Sequence, residues 1–397
     1  MLQTTFHILW IIIQGLIGIN LIFPLGLFLI YLVVKLFTSV KHLKSEGEPD
    51  YAIIVTAYEH TQTLPSVIAS LLKLKYSNYI IYVVADKCDI SALKFDDEKV
   101  LILRPEETLG SNTRSHFYAI ERFKRNHDRL TIIDSDNLVD PYYLLELNKY
   151  FEAGFQAVQG ERKAKNLNTA YACLDAARDI YYHFYDGVVL FGAGSSATLA
   201  GSGMAFTVQL YKDCLEHLDI TGAGFDKVLQ KEIVFKKIRI AFTKDAIVYD
   251  EKTTRSDQLV KQRARWINTW FRYFKFGFIL VSKGIQNLNW NQFLFGIVLL
   301  RPPLFIFLIL SLFCLIINIL VNPIISLLWA LGFILFIVGF FLSLLLSKTD
   351  KQIYYSLRNI PKFIFYQVLS LLKVRKANEV SVATQHYYDK SIDEIKR

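Results

Sequence analysis

The 397-residue sequence predicts an α/β domain on a mostly parallel, doubly wound sheet, with membrane-spanning helices before and after it in the chain. Between Pro49 and about Leu259, short apolar segments rich in Val, Ile and Tyr alternate with helical ones. This alternation is typical of parallel sheets covered by helices on both faces. Long uncharged segments lie on either side of this region and account for the hydrophobic content of 53%.

The first uncharged segment, residues 1–34, contains no Asp, Glu, Lys or Arg. About 20 apolar residues in a helix cross the hydrocarbon core of a bilayer, so this segment predicts one membrane span. A cleaved signal peptide fits less well, because no basic residue precedes the apolar run and the run exceeds roughly 7–15 residues. We therefore assign residues 1–48 to an anchor and its juxtamembrane segment.

Two further uncharged segments, Pro302–Val321 and Ile324–Leu346, are separated only by Asn322 and Pro323. Each is about as long as a bilayer is thick, so residues 301–347 predict a transmembrane hairpin rather than a buried helical hairpin of a soluble core. A transport protein is an alternative suggested by the spans alone. Three crossings without a charged residue offer little lining for a polar conduit, which disfavours it.

Basic residues follow the first and the last span, at Lys35, Lys41, Lys44, Lys348 and Lys351. The positive-inside rule then places both the α/β domain and the amphipathic tail, residues 348–397, in the cytoplasm. We expect an integral protein of a bacterial inner (plasma) membrane, with the lipid bilayer as one of its partners.

The net charge of +9 fits a domain held against anionic lipid and a site for an anionic ligand. No compact Lys/Arg block and no nucleic-acid motif occurs, so we expect no nucleic acid partner. The cysteines lack the spacing of metal sites and predict reduced, structural thiols. They are Cys88, Cys173, Cys214 and Cys314.

Within the α/β domain, residues 49–260, polar residues follow the apolar segments. The predicted strands are YAIIVT (51–56), YIIYVVA (79–85), VLIL (100–103) and LTII (130–133), with helices at 64–74 and 112–124. Ligands of such sheets bind beyond the carboxyl ends of the strands. The residues at those ends are therefore the candidates for a functional site.

Asp134 and Asp136 follow the fourth predicted strand as the sequence Asp-Ser-Asp. Two carboxylates at this spacing can face one hard cation, Mg²⁺ or Mn²⁺, which would neutralise charge on a bound diphosphate. A turn or a helix N-cap is the alternative, since Asp favours both.

The residues after the first two predicted strands are candidates for nucleotide contact: Tyr58, Glu59 and Asp86. Asp86 also suits a turn, and Tyr58 also suits a partly buried core position.

Three later segments add weaker signals. Gly201, Ser202 and Gly203 form a small-residue loop that lets the backbone approach a ligand, and Asp226 follows a flexible Gly-Ala-Gly turn, as suits a catalytic base. Residues 261–300 combine aromatic and basic side chains and predict interfacial helices.

Gln262, Arg265 and Trp266 lie on one broad face of the first of these helices. Arginine can clamp phosphate oxygens, and an indole can stack on a sugar ring. An interfacial anchor is the alternative explanation of the same residues.

The order of these signals resembles the membrane-bound branch of the family 2 glycosyltransferases, which cellulose, hyaluronan and ceramide sugar transferases share. The resemblance extends from about Tyr51 to the end of the chain. Its most specific motifs are IIDSDNLVDP and QRARW, and VVADKCD, AVQGERKAKN and AIVYDEK agree with it.

The resemblance implies a GT-A fold and a metal-dependent, inverting hexosyltransferase that uses a nucleotide-sugar donor of the UDP-sugar type. The acceptor would be a polysaccharide or a lipid-linked molecule. Asp134 and Asp136 match the D-x-D motif that holds Mg²⁺ or Mn²⁺, Asp86 matches a nucleotide-contacting carboxylate, and Asp226 matches the general base. Tyr58, Glu59 and Arg265 would contact the donor. Gly201, Ser202, Gly203, Gln262 and Trp266 would border the acceptor.

The sequence departs from the family pattern at three places. Glu59 and His60 stand where the family has Asn and Glu, Phe225 replaces the Glu of a Glu-Asp pair, and a donor-side Lys is missing near Gly110. These departures motivate a second hypothesis, a catalytically impaired nucleotide-binding scaffold that works with other polysaccharide-assembly proteins.

Overall fold

The computed structural model describes residues 2–37, 45, 47–374, 377, 388 and 390–395. Lys41 and Lys44, which contributed to the predicted orientation, lie outside these residues. In the described part of the chain, eight strands form one mixed sheet. They are β1 (Tyr51–Tyr58), β2 (Tyr79–Asp86), β3 (Val100–Leu103), β4 (Arg129–Asp134), β5 (Leu138–Val139), β6 (Ala157–Ala164), β7 (Met204–Thr207) and β8 (Ile240–Asp250).

The helices of the α/β domain include a π-helical segment, His183–Val189. The α-helices before it are α2 (Leu64–Leu71), α3 (Asn112–Ile120), α4 (Tyr143–Glu152) and α5 (Ala170–Tyr182), and those after it are α6 (Leu190–Gly192), α7 (Val208–Leu215) and α8 (Phe225–Phe235). The first helix of the chain is α1 (Leu2–Phe37). Towards the C-terminus follow α9 (Ser256–Tyr273), α10 (Lys275–Gln286), α11 (Trp290–Leu300), α12 (Leu304–Val321), α13 (Pro323–Leu346), α14 (Lys351–Ser356), α15 (Ile360–Leu371) and α16 (Ile392–Ile395).

The sheet has the strand order β3-β2-β1-β4-β7-β6-β8-β5. β1 pairs in parallel with β2 and β4, and β2 pairs in parallel with β3. β7 runs antiparallel to both β4 and β6. The sheet is therefore parallel from β1 to β4, where strands and helices alternate along the sequence, and mixed in the strands that follow. The four predicted strands and the α/β class are confirmed.

Apolar cores lie on both faces of the sheet. Ala52 and Ile54 of β1 belong to one core, whereas Ile53 and Val55 belong to the other. Successive side chains of a strand point to opposite faces, so an unbroken apolar strand is buried on both sides. Because β1 and β4 are adjacent and parallel, their carboxyl ends lie at the same edge of the sheet.

Among the described residues, three helices are long and apolar enough to cross a membrane, as the sequence predicts: α1, α12 and α13. A polar contact joins them inside the apolar bundle. The Oε1 atom of Gln14 on α1 accepts hydrogen bonds from Asn318 Nδ2 on α12 (2.5 Å) and from Trp329 Nε1 on α13 (2.9 Å). Buried amides satisfied in this way fix the helices relative to one another.

The π-helical segment connects the α/β domain to this bundle. Its Tyr185 hydroxyl donates to the carbonyl oxygen of Gly339 on α13 (2.8 Å), and the Phe184 ring lies 5.8 Å from that of Phe28 on α1. π-Helical turns are rare and recur at functional sites. Here the segment also carries His183 and Asp186, which line the cavity described below.

His116 on α3 gives the α/β domain a pH-dependent stability. Burial lowers its pKa from the ordinary value of 6.5 to about 3, and its Nδ1 lies 2.7 Å from the hydroxyl of Tyr211. Between these two pH values only the unfolded chain binds the proton, so the free energy of unfolding decreases as the pH falls through this window.

When the pH falls from 7 to 5, we expect the free energy of unfolding of His116→Phe to decrease by about 2 kcal/mol less than that of the wild type. Denaturant unfolding of the detergent-solubilised protein at several pH values measures this difference. His217→Phe, a change at an exposed histidine, is the control. An unchanged pH dependence in His116→Phe would contradict the prediction.

Candidate functional site

A cavity of about 870 Å³ opens at the carboxyl ends of β1 and β4 and continues to the first turn of α12. It brings together most of the residues singled out in the sequence. Those that line it are Tyr58, Asp134, Asp136, Gly201, Asp226, Gln262, Arg265 and Trp266. Glu59, Asp86, Ser202 and Gly203 lie outside its lining.

Asp134 and Asp136 are joined by a hydrogen-bond chain through Ser202. The backbone N–H of Asp134 donates to Ser202 Oγ (3.0 Å), which donates to Asn137 Oδ1 (2.7 Å). Asn137 Nδ2 in turn donates to Asp136 Oδ1 (3.0 Å). Ser202 is fully buried. Its hydroxyl therefore holds the Asp-Ser-Asp turn in place rather than facing the cavity.

The two carboxylates fit a divalent cation that is shared with a substrate. Both line the cavity, and among the described residues no group of three or more His, Cys, Asp or Glu could hold a metal ion. Mg²⁺ is commonly held by one or two carboxylates, with substrate phosphates and water completing its shell. A pair such as Asp134 and Asp136 therefore suits Mg²⁺ or Mn²⁺ that arrives with a diphosphate.

Asp86 and Glu59 contact protein groups next to the cavity. Asp86 is buried, and its carboxylate accepts hydrogen bonds from the N–H groups of Leu109 (2.9 Å) and Gly110 (2.8 Å). Glu59 has a φ of +61° and pairs with Lys87 (2.7 Å). This backbone conformation turns Glu59 away from the cavity.

The neighbours of Glu59 differ in this respect, because both Tyr58 and His60 line the cavity. In the sequence, His60 was recognised only as a departure from the family pattern. At this end of the cavity it supplies an imidazole where a carboxylate was expected.

A network of buried charges, to which the sequence gave us no reason to assign a role, lines the cavity between the strands and α5. Arg162 on β6 pairs with Asp250 on β8, and Lys252 lies 2.7 Å from Asp250 and also pairs with Asp179. Arg178 lies 2.5 Å from Asp179. Burial raises the pKa of Asp179, but Lys252, Arg178 and Arg162 outweigh it, so this pKa lies well below its usual value.

The Q-x-x-R-W residues lie on α9. Gln262 accepts a hydrogen bond from the Thr253 hydroxyl (3.0 Å), and burial lowers the pKa of Arg265. The Trp266 ring lies 4.1 Å from the guanidinium carbons of both Arg178 and Arg263. The indole of Trp266 is therefore in cation–π contact with two arginine side chains.

Trp270, one turn further along α9, is a second tryptophan of the cavity, and no role was predicted for it from the sequence. Its ring stacks on that of Phe274 at 5.2 Å and 27°. Its indole N–H has no hydrogen-bond acceptor among the described residues. An acceptor atom of a ligand that reaches this N–H would satisfy it.

Asp226 is the second residue of α8 and faces the cavity. Gly224 precedes it with a φ of +104°, and a Cβ atom there would come within 2.7 Å of Thr269. The adjoining Phe225 is buried with its ring centroid 5.1 Å from that of His116. The tight turn thus leaves the carboxylate at the cavity, 3.2 Å from Lys227 Nζ.

The opposite end of the cavity is apolar and adjoins the membrane helices. It is lined by Val298, Leu299, Pro302, Pro303, Leu304 and Phe305. Arg301, between α11 and α12, pairs with Asp186 of the π-helical segment (2.9 Å). The backbone N–H of Leu304 donates to the Tyr182 hydroxyl (3.3 Å). These contacts hold the start of α12 against the α/β domain.

The mixed sheet, the carboxylate pair at its edge and the three long apolar helices are the arrangement that the sequence led us to expect of a membrane-bound sugar transferase. The sequence model described as "Glycosyltransferase like family 2" matches residues 49–269, more than half of the chain. The protein therefore belongs to the family 2 glycosyltransferases, as the resemblance of its motifs implied.

Two solved structures illustrate what this chain is similar to. The mannosyltransferase PcManGT from Pyrobaculum calidifontis, in complex with GDP-Man and Mn²⁺, has a TM-score of 0.58 and 15% sequence identity, over 91% of this chain and 98% of that chain. Residues 1–349 of TarS from S. aureus have a TM-score of 0.39 and 14% identity, over 57% of this chain and 65% of that chain. No curated protein matches the sequence. The likeness to PcManGT confirms the GT-A fold.

Proposed function

We propose that the protein transfers a sugar from a nucleotide-sugar donor to a lipid-borne acceptor, with inversion at the anomeric carbon. The observation that carries this proposal is the continuity of the cavity. Asp134 and Asp136 line one end, and the first turn of α12, Leu304 and Phe305, lines the other. An acceptor whose apolar part stays in the bilayer can therefore present its polar part to the donor.

The proposed mechanism is a single displacement. A divalent ion at Asp134 and Asp136 would neutralise charge on the departing nucleoside diphosphate. Asp226 accepts the proton of the acceptor hydroxyl as its oxygen attacks the anomeric carbon, and attack opposite the leaving group inverts the configuration. Arg265 supports the diphosphate, and Gln262 and Trp266 border the acceptor. Ser202 positions the Asp-Ser-Asp turn.

The proposed orientation puts the donor site in the cytoplasm of a bacterial cell. Lys35 is in the last turn of α1, and Lys348 and Lys351 follow α13. Basic residues at these ends favour the cytoplasmic side, where nucleotide sugars are made available. The turn between α12 and α13 carries no charge and would lie on the other side.

The test uses sealed membrane vesicles from cells that express the full chain, incubated with radiolabelled UDP-sugars and GDP-sugars in turn. We expect label in the organic-solvent extract of inside-out vesicles and none with right-side-out vesicles. The anomeric configuration of the product, measured by NMR, should be opposite to that of the donor. Label confined to a water-soluble polymer would contradict the lipid acceptor, and activity in right-side-out vesicles would contradict the orientation.

A further inference from the structure

The loop between α6 and β7, residues 198–203, lies between the two chemical parts of the candidate site. Its Ser202 supports the Asp-Ser-Asp turn by hydrogen bonds. Its other end, at Leu199, contacts α8, the helix that carries Asp226. Residues 198–201 line the cavity. The loop therefore connects the carboxylates that suit a metal to the proposed base.

Two residues of α8 hold the peptide groups of Leu199. The backbone N–H of Leu199 donates to Gln230 Oε1 (3.0 Å), and the carbonyl oxygen of Leu199 accepts from Lys227 Nζ (3.3 Å). Lys227 Nζ also lies 3.2 Å from the Asp226 carboxylate. Gln230 follows Asp226 by four residues, so the two side chains lie on the same face of the helix. The part of α8 that carries the base is thus attached to the loop by two hydrogen bonds.

Buried side chains of β6 hold the peptide groups that follow Leu199. The backbone N–H of Ala200 donates to Gln159 Oε1 (2.9 Å), and the carbonyl oxygen of Ala200 accepts from Arg162 Nη1 (2.6 Å). Gln159 Nε2 also donates to the carbonyl oxygen of Ser202 (3.1 Å). Breaking any of these bonds would leave a buried polar group unsatisfied, which is costly. The loop is therefore fixed along its length, from α8 to the Asp-Ser-Asp turn.

We propose that Gln230 is a positioning residue for sugar transfer. Through Leu199 and the loop, it fixes the separation between Asp226 and the Asp-Ser-Asp turn. This inference rests on the proposed function, in which Asp226 takes the proton and the turn holds the metal. The attacking oxygen and the anomeric carbon must meet in a narrow geometry, and a displacement of about 1 Å can lower a rate roughly 10²-fold. A loop that is held at both ends sets this geometry before the substrates bind.

Gln230 acts through the backbone and not on a substrate. It borders the cavity, but its side chain is 0% exposed. Its Nε2 has no acceptor in the part of the chain that the structure describes, so the bond to Leu199 is the contact that a substitution would remove. Gln230→Glu keeps an oxygen acceptor for this N–H, and Lys227, three residues earlier on the helix, is within reach of the new carboxylate. Gln230→Met keeps the length of the side chain but offers only a weakly accepting thioether.

The experiment compares these two variants of the full chain in detergent. Single-turnover transfer gives the rate at the active site, and calorimetry with Mn²⁺ and a nucleoside diphosphate gives the affinity and the fraction of competent sites. We expect Gln230→Met to transfer about 10- to 100-fold more slowly than the wild type, with unchanged affinity and stoichiometry, because Ser202 still supports the metal carboxylates. Gln230→Glu should transfer at nearly the wild-type rate.

Gln209→Met is the matched control, because it makes the same change at an exposed glutamine of α7 outside the lining of the cavity. It should leave transfer and binding unchanged. A wild-type rate in Gln230→Met would overturn the proposal. So would an equal loss of rate in Gln230→Met and Gln230→Glu, or a fall in the fraction of competent sites that accounts for all of the lost transfer.

A double-mutant cycle with Asp226→Asn tests whether Gln230 acts through the base. In the Asp226→Asn background, Gln230→Met should leave the remaining rate almost unchanged, since a residue that acts only by placing the base has nothing left to place. If Gln230→Met lowers the rate by the same factor in both backgrounds, its role is structural and the proposal is overturned.

The cycle also separates this proposal from the proposed function. Near-normal transfer by Asp226→Asn alone would overturn the assignment of the base, and the positioning role, which is defined through that base, would fail with it. Slow transfer by Asp226→Asn together with a wild-type rate in Gln230→Met would keep the base and remove only the positioning role.

Discussion

Asp136→Ala is expected to abolish sugar transfer and to weaken nucleotide binding that depends on Mg²⁺ or Mn²⁺. Asp136 lines the cavity and is 8% exposed, so the variant would remove one of the two carboxylates available to the cation. Nucleoside diphosphate binding should be measured by calorimetry with the metal and with excess chelator. The wild type should lose affinity in chelator, whereas the variant should bind weakly in both conditions.

Asp213→Ala is a suitable control for this experiment. Asp213 is an exposed carboxylate on α7, outside the lining of the cavity, and its loss should change neither binding nor transfer. A wild type that works unchanged in excess chelator would show that the carboxylate pair has another role.

Asp226→Asn is expected to lower the transfer rate by roughly 10²–10⁴ while donor binding survives. The amide keeps the shape and the hydrogen bonding of the carboxylate but cannot accept a proton from the acceptor hydroxyl. Donor affinity and single-turnover transfer should be measured on the same preparation, so that loss of folding is not mistaken for loss of catalysis.

Asp219→Asn is the matched control for the base. Asp219 precedes the same turn, but its carboxylate is exposed and pairs with Arg114. Near-normal transfer by Asp226→Asn would show that another group is the base, and a matching loss of donor affinity would place Asp226 on the donor side.

The sequence predicted the parts of the site that depend on strand ends. Asp134 and Tyr58 come together because β1 and β4 are adjacent and parallel, a relation that the alternation of strands and helices implies. The position of Ser202 beneath Asp134 could not be inferred in this way. It depends on β7 running antiparallel beside β4, and no local pattern signals that reversal.

The charged network was missed because its members come from separate segments of the chain, and the quoted motifs that contain Arg162, Asp250 and Lys252 do not show that these residues meet α5. Asp175, Arg178, Asp179 and Tyr182 are nevertheless spaced at i, i+3, i+4 and i+7 within a mostly apolar helix. Polar side chains at this spacing form one stripe, and here the stripe faces the cavity instead of solvent. Charged residues on the buried face of a predicted helix could therefore have indicated this network from the sequence.

The amide contact between α1, α12 and α13 has a consequence for biosynthesis. Asn318 follows Gln14 by 304 positions, so at roughly 5–20 residues per second the ribosome needs about 15–60 s to supply the partner. During that interval α1 already carries an unsatisfied amide at membrane depth. The α/β domain is synthesised before the hairpin that satisfies this amide, so the three-helix contact forms only after that domain has been made.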